Sequence, residues 1–158
     1  MTAWTDLSEA EQNTVWDAFY SRFSFRPSVD PKNWPSFSVP SPFITWRVPD
    51  PWSGPAMEDL ARNALSAFRM ALPGDQRMLA LDWQHACFWF RPHLQEEASP
   101  WKIPVLPDGD YGFFLAESLE WGWLGHPWEG TVTVFGTPLL AALKENPPTL
   151  FQQVLREG

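Results

Sequence analysis

Cysteine is nearly absent, with Cys87 the single example in 158 residues. That excludes an internal disulfide and any cysteine-built zinc knuckle, and it suits a reducing compartment. Basic residues are scarce as well. The 11 Lys and Arg against 19 Asp and Glu leave a formal net charge of −8, and no stripe along the chain gathers the positive ones. Exposed phosphates would be repelled at long range, so nucleic acid is not an expected partner. No apolar run approaches the roughly 18 residues that a membrane span needs. The opening residues, Met1 to Asp6, lack the basic stretch and apolar run of a signal peptide. These absences predict an acidic cytoplasmic protein, with solubility the simplest reason for its acidity.

Common catalytic motifs are missing too. Gly122, Gly125 and Gly130 form neither G-x-x-x-x-G-K nor G-x-G-x-x-G, so no phosphate loop is expected. No G-x-S-x-G occurs, which removes the usual cue for a serine hydrolase. Cys87 lies two residues from His85, but within a strand-like run it reads as a small buried apolar residue, not a nucleophile.

Tryptophan and proline are abundant instead, with 11 Trp and 17 Pro. A buried indole N–H needs an acceptor, so this many rings imply a core with polar handles or rings exposed at an interface. The length suits one domain over residues 1–158. A proline-rich segment at 24–56 reads as coil wrapped onto that domain, because Trp34, Phe37, Phe43, Trp46 and Trp52 interrupt its prolines. Only Phe43–Val48 within it reads as a strand.

Ser8 and Glu11 have the spacing of a capping box. Behind them Val15, Trp16, Phe19 and Phe23 recur at helical spacing, which predicts a helix over 8–23. A second helix is expected over 57–72, stopped by Pro73-Gly74. Strand-like runs follow at 78–83, 87–91, 103–106, 111–116 and 131–135. Pro138 opens a short helix to about Lys144, and Pro148 another ending near Arg156. The expected class is α+β: an antiparallel sheet of about five strands, the N-terminal and central helices packed on one face, and short C-terminal helices.

Two stretches combine ionisable and aromatic residues beyond what packing demands: Asp82-Trp83-Gln84-His85, and Gly125-His126-Pro127-Trp128-Glu129. The turn Pro107-Asp108-Gly109-Asp110-Tyr111 is expected near either. His85, His126, Glu129 and Asp82 are the candidates for acid–base work, and Gln84, Asp108, Asp110, Tyr111, Trp83 and Trp128 for binding. Two histidines with carboxylates would suffice for a divalent metal, but no paired spacing such as H-E-x-x-H is present. No metal ligand and no cofactor is therefore assigned. The structural alternative has both histidines orienting loops through backbone bonds.

These blocks, with Val134-Phe135-Gly136, resemble a family of small bacterial proteins, domain of unknown function 2716. The likeness is strongest from Leu81 to Leu140, and it implies that the blocks define the fold or its site, without implying an activity. Gly112 departs from the bulkier residue expected after the tyrosine, which thins the packing there. Two functions stay open ahead of a third, a purely structural subunit whose tryptophans bury against a copy of itself. One is a non-enzymatic module that binds a protein partner, toxin-neutralising for instance, anchored by exposed rings among Trp34, Trp46, Trp52 and Trp101. The other is an enzyme or small-molecule binder whose histidines and carboxylates converge in one pocket. The oligomeric state is not legible.

Overall fold

The computed structural model describes residues 1–158. Helix α1 (Glu9–Phe23) starts where the capping box places it. The Glu11 N–H donates to Ser8 Oγ at 3.1 Å, and the Ser8 N–H to Glu11 Oε1 at 2.9 Å. Ser53 Oγ caps α2 (Gly54–Ala71), and Pro55 in its first turn moves the start three residues ahead of the expected one. Pro138 opens α3 (Thr137–Glu145).

The sheet has eight strands, all paired antiparallel, not about five. They are β1 (Trp4–Asp6), β2 (Phe43–Arg47), β3 (Met78–Asp82), β4 (Phe88–Phe90), β5 (Gly112–Ala116), β6 (Gly122–His126), β7 (Thr131–Phe135) and β8 (Gln153–Glu157). Their spatial order is β1-β4-β3-β5-β6-β7-β2-β8. Three strands escape a reading of periodicity. β1 is too short to show a period. β6 carries Gly122 and Gly125, which depress strand propensity. β8 lies where a helix from Pro148 is expected; instead Phe151 stacks on Trp46 at 4.5 Å, and the chain then runs along the open edge of β2.

One expected strand is absent. Residues 103–106 are coil, interrupted by Pro104 and followed by Pro107, whose missing N–H groups cannot feed a ladder. Ile103, Val105 and Leu106 still reach the core, and the Val105 carbonyl accepts the Trp123 indole N–H at 2.9 Å.

Helices cover both faces of the sheet, which corrects the one-face expectation. Met78, Ala80, Phe114, Trp123, Val132 and Val134 pack with α2 and α3 through Leu60, Ala64, Phe68, Leu139 and Leu143. The alternate residues Leu79, Leu81, Phe113, Leu115, Leu124 and Phe135 pack with Phe19 and Phe23 of α1 and with Phe25 and Phe37 of the proline-rich coil. Period-2 alternation sends neighbours to opposite faces, so strands buried on both sides favour near-continuous apolar runs. Met78-Leu79-Ala80-Leu81 and Phe113-Phe114-Leu115-Ala116 are such runs. No helix is long and apolar enough to cross a membrane.

Gly122 meets a steric demand. A Cβ there would lie 2.6 Å from Leu115 Cδ2 and 2.9 Å from the Phe114 carbonyl oxygen. At Gly112 a Cβ would sit at ordinary distances, 3.5 Å from Ile103 Cγ2 and 3.6 Å from the Pro104 carbonyl. The space beside Gly112 is therefore real, and it belongs to the pocket described next.

Candidate functional site

β3 ends at Asp82, and the chain reverses through Trp83, Gln84 and His85 before entering β4. Gln84 takes a left-handed conformation (φ 66°), and the His85 N–H closes the turn onto the Asp82 carbonyl at 3.1 Å. Cys87 fastens the turn from inside. Its thiol lies 3.5 Å from both the Asp82 and His85 carbonyls, and burial pushes that thiol up from its ordinary pKa. The thiol thus has the environment of a positioning group and not of a nucleophile. From α1, Gln12 Nε2 reaches the His85 carbonyl at 3.5 Å.

The second arm is the turn before β5. Gly109 (φ 85°) lets the chain bend, and the Tyr111 N–H donates to Asp110 Oδ1 at 2.9 Å. The Trp83 N–H then bonds the Tyr111 carbonyl at 3.1 Å, tying the two turns together. His85 Nδ1 consequently lies 3.2 Å from Asp82 Oδ1 and 3.4 Å from Asp110 Oδ2. One potential ligand atom from each of the three residues falls within 4.8 Å of the others. They border a pocket of about 290 Å³ whose wall also includes Asp108, Tyr111 and Gly112. No Lys or Arg lines it. Partial burial raises the Asp82 carboxyl above its ordinary pKa, opposed by its hydrogen bond to His85.

His126 does not join this group. It is fully buried at the end of β6. The Glu129 N–H donates to its Nδ1 at 3.1 Å, so the ring proton resides on Nε2, 3.0 Å from Ser36 Oγ. Tyr111 directs its hydroxyl to the same Ser36 oxygen at 3.0 Å. Ser36 itself holds a left-handed φ of 75° within the proline-rich coil. The chain His126–Ser36–Tyr111 therefore welds that coil to β5 and β6. Burial drives the His126 pKa down from 6.5 to about 4. Glu129 works beside it: its Oε1 accepts from Thr131 Oγ1 at 2.7 Å and pairs with Arg156 of β8.

The sequence-derived candidates thus separate into two places. Asp82, His85, Asp108, Asp110 and Tyr111 share one pocket, while His126 and Glu129 lie in a packed polar network. Tyr111 touches both, lining the pocket while its hydroxyl points away into the network. Trp83 packs edge-on against Tyr111 at 5.7 Å and donates its indole N–H to Tyr20. Gln84 is exposed on the turn. Trp128, 38% exposed, caps Tyr111 edge-on at 5.1 Å. Trp34, Trp46, Trp52 and Trp101 do not form an exposed cluster: each is partly buried, and the last three pack on the α2-side core. Ser36 and Arg156 went unread, since they lie 90 and 27 residues from their partners, and the buried Cys87, expected as a small apolar residue, also holds the Asp82–His85 turn.

Comparison with known proteins gives two matches. A family model described as a protein of unknown function, DUF2716, matches residues 6–140, which contain all four blocks singled out in the sequence. The uncharacterized protein YxiI of Bacillus subtilis (strain 168) is 34% identical over 161 residues, spanning 96% of this chain and 99% of its own. No solved structure matches.

Proposed function

We propose, on the premise that the chain belongs to the DUF2716 family of proteins of unknown function, that this member is a small-ligand-binding protein built around a divalent cation held by Asp82, His85 and Asp110. One observation carries the reading: two carboxylates and an imidazole, from two turns locked to each other, converge within 4.8 Å at the wall of a pocket. A cation bound at about 2.0–2.1 Å from tetrahedral ligands sets those ligands about 3.3 Å apart. The His85–Asp82 and His85–Asp110 separations are 3.2 and 3.4 Å.

Charge points the same way. The pocket gathers Asp82, Asp108 and Asp110 without a Lys or Arg to offset them, an arrangement that favours a cation. One nitrogen and two oxygens suit a borderline or hard ion such as Zn²⁺ or Mn²⁺. Three protein ligands leave coordination positions for water or a ligand oxygen from the pocket side. Partner binding through exposed tryptophans has no comparable support, because the rings expected to anchor it are packed on the domain.

Isothermal titration with Zn²⁺ and with Mn²⁺ tests the proposal. One ion per chain is expected for at least one of the metals. His85→Ala should weaken binding by more than the roughly 10–100-fold typical of losing an outer-sphere group, and His126→Gln should leave it unchanged. Equal binding by the parent and His85→Ala, or none by the parent, would sink the assignment.

A further inference from the structure

We infer that the cavity between the end of α2 and the adjoining ends of β3, β4 and β5 is a second site, selective for a small molecule carrying a carboxylate or phosphate. This cavity, about 760 Å³, is lined by Arg77 and Arg91 together with Ser118, Trp121, Asp75 and Glu117. The two arginines lie one step beyond the Met78–Phe90 pair of β3 and β4. That brings two like charges to the same end of the β3–β4 pair, just outside the strands, where their repulsion costs stability unless something offsets it. In a chain of net charge −8 with only 11 basic residues, repulsive pairing of two of them calls for a reason.

Neighbouring groups offset the pair unevenly. The Arg77 guanidinium lies 3.5 Å over the Trp89 ring, and its Nη2 is 3.4 Å from Glu117 Oε1. The stacking fixes its plane, while Glu117, exposed at 59% of its side chain, is a partner that an incoming anion can replace. Arg91 is half-buried and takes part in none of the ion pairs. Its backbone is held, since its N–H donates to the Ala3 carbonyl at 2.7 Å. A planar guanidinium fork on a fixed strand end is suited to bidentate binding of carboxylate or phosphate oxygens. Ser118 adds a hydroxyl whose oxygen already accepts the Glu120 N–H at 3.3 Å, leaving its own proton to donate. Asp75 and Glu117 on the rim oppose an anion and favour ligands that also carry a donor group.

The site is tested by titrating inorganic phosphate, and separately succinate, at constant ionic strength while following the arginine side-chain Nε–H signals by NMR. Saturable shifts at Arg77 and Arg91 with millimolar or tighter affinity are expected for at least one probe. Arg91→Gln should lower that affinity at least about tenfold, whereas Arg26→Gln, on the exposed coil, should not. Phosphate alone saturating would define a phosphate-bearing ligand, and succinate alone a carboxylate one. No saturable shift with either probe, or equal saturation in a folded Arg91→Gln variant, would overturn the inference.

Discussion

His126 should make the fold acid-sensitive in a defined window. Its imidazole is buried neutral with a folded-state pKa of about 4 against 6.5 for the ordinary group. Between those values the unfolded chain takes up a proton that the folded chain refuses, so stability falls as pH drops. The loss from this residue amounts to about 2 kcal/mol by pH 5 and roughly 3 kcal/mol by pH 4. Domains of this kind have about 5–15 kcal/mol in total, so the loss is large. Glu129 draws a proton toward the ring and Arg156 pushes it away, while the groups bonded to it are the Glu129 N–H and the Ser36 hydroxyl. Urea unfolding of the parent and of His126→Gln at several values between about pH 7.5 and 5 isolates the effect, because other titrating groups are common to both. At neutral pH the variant should be less stable by about 1–3 kcal/mol, the cost of disturbing a buried hydrogen-bonded group. That gap should shrink by about 2 kcal/mol at pH 5. A gap that stays constant across the window would refute the reasoning.

Two further outcomes are expected. Gly122→Ala should destabilise by about 1–3 kcal/mol in urea unfolding, because its methyl has no room against Leu115, whereas Gly112→Ala should be near neutral or slightly stabilising. Cys87 is buried, and its thiol is pushed up by that burial, so native protein should react with a thiol reagent at about pH 8 at least about tenfold more slowly than unfolded protein; equal rates would show the turn to be open.

The starts of α1 and α3 were legible from local chemistry, the Ser8–Glu11 box and Pro138, and the end of α2 from Pro73-Gly74, while Ser53 and Pro55, which set its start, went unused. The sheet was only half legible. β3 and β5 carry continuous apolar runs that announce themselves, yet the same continuity says that both faces are covered, and that implication went unused in placing the helices. β8 was hidden because its identity depends on β2 needing an edge partner, a tertiary demand that Gln153 to Glu157 do not encode alone. At the site, Asp82, His85 and Asp110 were named from composition and turn position. What no one-dimensional reading supplied was which histidine would stay at the pocket. That was decided by Ser36, on a distant coil, accepting the Nε2 proton of His126.

The two-sided burial of the sheet changes how strand register can be specified. In a sheet wet on one side, slipping a strand by one residue drives polar groups inward and apolar ones into water, and polarity alone forbids it. Here a slipped β5 or β6 would still present apolar residues to both faces. Volume has to make the distinction: Gly122 lies where Leu115 and Phe135 approach from the flanking strands, and a one-residue slip would bring the indole of Trp121 or Trp123 into a space closed even to a methyl. Size, in this protein, keeps the strands in phase.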